Sequence, residues 1–285
     1  GAPPAGPRAG GDPADPGPAS FGPAVASPGS ILPRERISAA IRGAGRAGVP
    51  ALVGYLTAGF PSRERFGEHL HALARAADVV EVGVPFTDPM ADGVTVQRAS
   101  RVSLQQGTTL EWILEALAAA APVRAPLLLM SYLNPLLAFG RERLTSAAAR
   151  AGVSGFIVPD LPFDEPSPLR DGLAAEGLAL VQMVTPVTEP ERLARICAAS
   201  TGFVYAVTMT GTTGHSVSVP PATLEYLDRV RARSSVPVCA GFGIRGPEQV
   251  ARLRGHVDGV IVGSALVEVL ERGEDPAAFI AALRG

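Results

Sequence analysis

The sequence predicts an α/β chain that folds as a single (β/α)8 TIM barrel behind a disordered tail, and three observations predict it. Short apolar runs of strand length recur eight times between residues 51 and 262. They are continuous rather than alternating, as parallel strands buried on both faces require. Stretches of helical period separate them, and eight such units in about 250 residues match the size of a closed barrel. An open doubly wound sheet is the alternative. It would carry a GxGxxG turn after its first strand, where this chain has Thr57-Ala58-Gly59-Phe60-Pro61 instead.

The expected strands are Ala51–Thr57, Val79–Gly83, Leu127–Tyr132, Gly155–Val158, Leu178–Val184, Gly202–Val207, Val236–Gly241 and Gly259–Val262. Glu35 to Ala47 reads as a helix before the first strand. Between the first two strands, Phe66, Leu70, Leu73 and Ala77 recur at helical spacing while Arg63, Glu64, Glu68 and Arg75 face elsewhere. Ser62 is the expected N-cap of that helix. Trp112 falls in an apolar helix from Thr109 to Ala120, as a packing residue.

Residues 1–30 are mostly Gly, Ala, Pro and Ser. That composition buries too little surface to offset its ordering entropy, so a disordered tail is expected there and the barrel over residues 31–285. The tail lacks the basic start and apolar run of a secretory signal. No run approaches the roughly eighteen apolar residues of a membrane span. A net charge of −2 supplies no basic stripe for nucleic acid. Cys197 and Cys239 lack CxxC spacing and read as free thiols in a reducing cytoplasm. His69 and His71 are two apart on a helix and share no face, so no metal centre is expected.

One absence bears directly on chemistry. All 25 basic side chains are arginine and none is lysine. Arginine does not deprotonate usefully, so the sequence excludes a lysine Schiff base and an internal aldimine of pyridoxal phosphate.

Barrel enzymes place their chemistry at the C-terminal ends of the strands. The second strand ends Val80-Glu81-Val82-Gly83, and alternation sets Glu81 opposite the two valines, into the barrel. A carboxyl there is costly unless it faces a cavity with partners. The loop that follows offers Asp88 and Asp92, which either work in the site or cap the helix beginning near Thr95. After strands seven and eight come Gly241-Phe242-Gly243-Ile244 and Gly263-Ser264-Ala265. Glycines that admit close backbone approach, and a helix N-terminus, predict a phosphate rim. Gly211-Thr212-Thr213-Gly214 adds a third small, polar loop.

The run from Glu81 to Gly93 resembles the signature of the tryptophan synthase alpha chain family. The resemblance continues through Gln97, Tyr132 with Asn134, Pro159-Asp160-Leu161-Pro162, Tyr205, Gly211 to Gly214, Gly241 to Ile244 and Gly263 to Ala265, over roughly residues 35–285. It implies a cytoplasmic lyase that cleaves indole-3-glycerol phosphate to indole and glyceraldehyde 3-phosphate, with no metal or organic cofactor. By resemblance Glu81 is the acid–base, and Asp92, kept ionised, faces the indole N–H. Tyr205 and Thr213 orient the carboxylates, Tyr55 and Phe242 line the indole pocket, and Gly214, Gly243, Gly263 and Ser264 hold the phosphate. The resemblance also implies an alpha2beta2 tetramer with a beta chain, met by Pro85, Asp88, Asn134 and Pro162.

Some positions depart from the family pattern. Met209 stands where several members carry arginine, and the loop continues Gly214-His215-Ser216-Val217. Gly54 and Phe60 replace a proline and an aspartate, and Arg245 follows Ile244 where Ser or Thr is commoner. Phe60 and the loop after strand six lie in regions that, in the family, meet or respond to the beta chain. The alternative is therefore a free-standing lyase that supplies indole to secondary metabolism.

Overall fold

A computed structural model describes residues 1, 31–45, 48–208, 219–241 and 243–285. The expected tail, and the expectations for Met209, Thr213, Gly214, His215 and Phe242, lie outside the described residues.

The strands are β1 (Ala51–Thr57), β2 (Val79–Gly83), β3 (Leu127–Met130), β4 (Val153–Ile157), β5 (Ala179–Val184), β6 (Val204–Val207), β7 (Val238–Gly241) and β8 (Gly259–Val262). They pair in parallel in sequence order, and β1 pairs with β8 to close the barrel. The helices are α1 (Pro33–Gly45), α2 (Phe66–Ala76), α3 (Val94–Gln105), α4 (Leu110–Ala120), α5 (Leu133–Phe139) and α6 (Arg141–Arg150), then α7 (Pro168–Ala175), α8 (Pro190–Ala199), α9 (Pro221–Arg231), α10 (Pro247–Leu253), α11 (Ser264–Glu271) and α12 (Pro276–Leu283).

Strand alternation divides the apolar residues into two packed regions. Leu52, Leu56, Val80 and Val82 face the helices. Ala51, Val53, Val79, Leu128, Ile157 and Ile261 pack with one another in the barrel interior. Ile37 and Ile41 of α1 join that interior group, and Ser38 Oγ donates to the Gly202 carbonyl at 2.5 Å. Helix α1 thereby closes the N-terminal mouth and leaves the C-terminal mouth open.

Three strands have the expected bounds, and the others differ at their ends for local reasons. The third stops at Met130 because Tyr132 becomes the N-cap of α5. The sixth starts at Val204 because Gly202 turns the chain with φ +79°. The seventh starts at Val238, after Pro237, which has no N–H for a ladder. Helix α2 begins at Phe66, not after Ser62, whose Oγ accepts the Arg65 N–H at 3.4 Å in the preceding turn. Arg63 is drawn aside there: its N–H donates to Gln106 Oε1 at 3.2 Å and its guanidinium to the Gln106 carbonyl at 3.0 Å. Cys197 and Cys239 are buried and unpaired.

Gly155 on β4 faces Ala179 of β5 so closely that an added Cβ would lie 2.8 Å from the Ala179 carbonyl oxygen. Backbone cannot move aside cheaply. Gly155→Ala is expected to lower unfolding stability by about 1–3 kcal/mol, read from the denaturant midpoint.

Candidate active site at the C-terminal mouth

A cavity of about 210 Å3 opens at the C-terminal ends of the strands. Glu81 and Asp92 both line it, with Tyr55, Tyr205, Gly243, Gly263 and Ser264. Glu81 projects from β2 into the barrel at the level of Tyr55 on β1 and Leu128 on β3. It is 1% exposed, and its Oε2 has no hydrogen-bond partner among the described residues. Burial, and then the nearby charge of Asp92, push its pKa up to about 8. At neutral pH it is a carboxylic acid.

Asp92 is half-buried in the loop after β2. Burial raises its pKa to about 6 while the Tyr132 hydroxyl pulls it back down, so it is an anion at neutral pH. Neither aspartate of the loop caps α3, whose N-cap is Gly93 with no side-chain cap. Asp88 instead accepts from Thr87 Oγ1 at 2.5 Å. The Asp92 backbone is pinned from two sides: its N–H donates to the Pro89 carbonyl at 3.2 Å, and its carbonyl accepts from Gln97 Nε2 at 2.9 Å. The carboxylate is left to face the cavity.

Two phenols bracket the carboxyls. Tyr55 is 3.1 Å from Thr57 Oγ1, and its ring occupies the space where a Cβ on Gly83 would fall. Tyr205 lies across Gly241 in the same manner, 2.7 Å from where a Cβ would be. Burial, reinforced by the two carboxylates, raises both phenol pKa values, so both hydroxyls stay protonated donors.

The rim opposite is made of backbone. Thr208 ties β6 to β7 by donating to the Gly241 carbonyl from N–H at 3.3 Å and from Oγ1 at 2.6 Å. Gly243 has φ +65°, a conformation side chains disfavour. Gly263 opens α11 without a side-chain cap, and it and Ser264 line the cavity, where the first amides of a helix suit an anion.

A family model described as tryptophan synthase alpha chain matches residues 44–283. The chain belongs to the tryptophan synthase alpha chain family. A tryptophan synthase alpha chain of Nitratidesulfovibrio vulgaris strain DP4 is 48% identical over 87% of this chain and 97% of its own length. That of Chloroflexus aurantiacus is 44% identical over 82% and 88%. A solved structure of tryptophan synthase from M. tuberculosis, in an open form, superposes with TM-score 0.79 at 34% identity, over 87% of this chain and 97% of that one.

Within this alpha-chain barrel, Asp88 and Pro162 are exposed on loops around the mouth and Asn134 is exposed in the first turn of α5. Pro85, at the start of the loop after β2, is buried within the chain itself. Phe60 is 3% exposed, in the core against the helices. Gly54 has a local cause: a Cβ there would meet Leu73 Cδ1 at 2.8 Å, so glycine lets α2 pack down on β1. Arg245 pairs with Glu268 at 2.7 and 2.8 Å. Sequence reasoning left five cavity residues without a role: Met130, Met183, Val207, Ile261 and Val96. The first four sit on strands at inward parity, a signal that becomes readable once register is known.

Proposed function

We propose that Glu81 and Asp92 carry the alpha-chain lyase reaction, the cleavage of indole-3-glycerol phosphate to indole and glyceraldehyde 3-phosphate in L-tryptophan biosynthesis. The observation that carries this is one cavity lined by two carboxyls, of which the more deeply buried, Glu81, is pushed further up than Asp92. Glu81 gives its proton to indole C3, and the ring becomes an indoleninium. Asp92 accepts the hydrogen bond of the indole N–H and stabilises that positive charge. The Glu81 carboxylate then takes the proton of the adjacent side-chain hydroxyl. The oxygen forms the aldehyde carbonyl, the C–C bond breaks, and its electron pair returns to the ring. Glu81 ends protonated, ready for another turn.

Tyr205 orients the carboxylates from β6, and Tyr55 walls the indole pocket from β1. The Gly243 loop and the amides at Gly263 and Ser264 hold the phosphate; Thr213, Gly214 and Phe242 complete the site in this reading. The apolar lining from Met130, Met183 and Ile261 suits a flat aromatic ring.

The proposal includes a cytoplasmic alpha2beta2 assembly with a tryptophan synthase beta chain. Exposed Asp88, Asn134 and Pro162 support it, as do Met90 at 91% and Leu137 at 56% exposure around the same mouth. Nothing in the described residues favours a free-standing enzyme over a subunit. The test is turnover of indole-3-glycerol phosphate by the purified chain. Equimolar indole and glyceraldehyde 3-phosphate are expected, with the rate rising about tenfold or more on addition of a beta chain. Failure to form indole would overturn the residue assignments, and an unchanged rate would overturn the partner.

A further inference from the structure

Tyr132 follows β3 at the N-cap position of α5 and is 7% exposed. Its ring stacks on Phe86 of the loop after β2, with centroids 5.0 Å apart and planes at 26°. Its hydroxyl oxygen accepts the Ala91 N–H at 2.8 Å. A phenol oxygen bonded in that way still has its own proton to donate. Asp92 is the next residue along the loop, and its carboxylate and the Tyr132 hydroxyl lie close enough to shift each other's ionisation.

We infer that Tyr132 is a positioning residue for the lyase reaction: its hydroxyl latches the loop after β2 through Ala91 and donates to Asp92, presenting that carboxylate to the cavity as an oriented anion. The inference rests on the reading of Asp92 as the group facing the indole nitrogen. Phe86 and Tyr132 fix the loop by their stacked rings, and Gln97 fixes the Asp92 backbone.

The charge inventory explains why one hydroxyl matters. The groups facing Asp92 are Glu81 from β2, Tyr55 from β1, Tyr205 from β6 and Tyr132 itself. Asp160 after β4 faces Tyr132 but is engaged with the Leu133 N–H at 2.8 Å, and Cys239 of β7 faces Glu81 from below. None of these is a cation. Burial raises the Asp92 carboxyl, and the Tyr132 hydroxyl is what lowers it. Without that donor the aspartate drifts up towards the range of Glu81, and the pH window in which one is ionised and the other protonated narrows.

The experiment compares wild type, Tyr132→Phe and Asp92→Asn. Phenylalanine keeps the stack on Phe86 and removes only the O–H. The acidic limb of kcat/KM is expected to move up by about half to one pH unit, costing roughly two- to fivefold at pH 6 and less near pH 7.5. Placing a fluorinated tyrosine at 132, a better donor, is expected to move the limb the opposite way. Titration of the Asp92 carboxyl by carbon NMR reads the same shift without turnover. An unmoved limb and an unmoved carboxyl titration, with a uniform loss at every pH, would overturn the inference and leave Tyr132 a packing residue. Wild-type turnover in Asp92→Asn would instead overturn the reading of Asp92 on which it rests.

Discussion

Glu81→Gln is expected to lower indole formation by about a hundredfold or more while the barrel still folds. Glutamine fills the same volume between Tyr55 and Leu128 but offers no titratable proton. The loss is therefore expected in kcat, with KM nearly unchanged, because the phosphate rim and the apolar walls are untouched. Stability should move the other way. Burial raises the Glu81 pKa from 4.5 to about 8 in the folded chain, whereas the unfolded chain ionises near 4.5. Wild-type stability accordingly declines as pH rises from 4.5 towards 8, and glutamine does not share that decline. The variant should match wild type below pH 4.5 and exceed it at pH 8, by on the order of a few kcal/mol. Thermal melts at the two pH values check the sign. A variant that is active, or less stable at pH 8, would count against Glu81 as a buried acid.

Asp92→Asn is expected to cost about two orders of magnitude in kcat/KM, since the charge opposite the developing indoleninium is lost. The pinned backbone of Asp92 survives the change, because Gln97 and Pro89 hold main-chain atoms only. A second effect distinguishes charge from shape. The Asp92 charge is part of what raises Glu81. In the variant Glu81 therefore becomes more acidic, and the alkaline limb of the residual activity shifts to lower pH. Steady-state rates across pH 5–10 show both effects. A loss with no shift in that limb would mean the two carboxyls do not sense each other.

Much of this site is legible in one strand. Glu81 between two valines can point only one way, and the barrel is what makes that way a cavity. The backbone rim is legible too, since glycines after strands seven and eight have few other uses. What local pattern does not contain is contact across the barrel. The start of α2 depends on Gln106, more than forty residues downstream of Arg63. Pro85 reads as a surface loop residue until the strands are closed around it. Met130 and Met183 become cavity walls only when register places them on the inward face of the barrel. Tyr132 stands in a matching motif, yet its hydroxyl acquires a role only because the loop after β2 folds back on it.

The central claim is that the working chain holds Glu81 protonated and Asp92 ionised at once. The most direct measurement is the pH dependence of kcat/KM for indole formation by the purified chain. Below about 6 Asp92 takes up a proton, and above about 8 Glu81 loses one, so a bell with limbs near those values is predicted. Activity that rises through a single ionisation and stays level above pH 9 would show that the ionised Glu81 is the competent form, and would contradict the account.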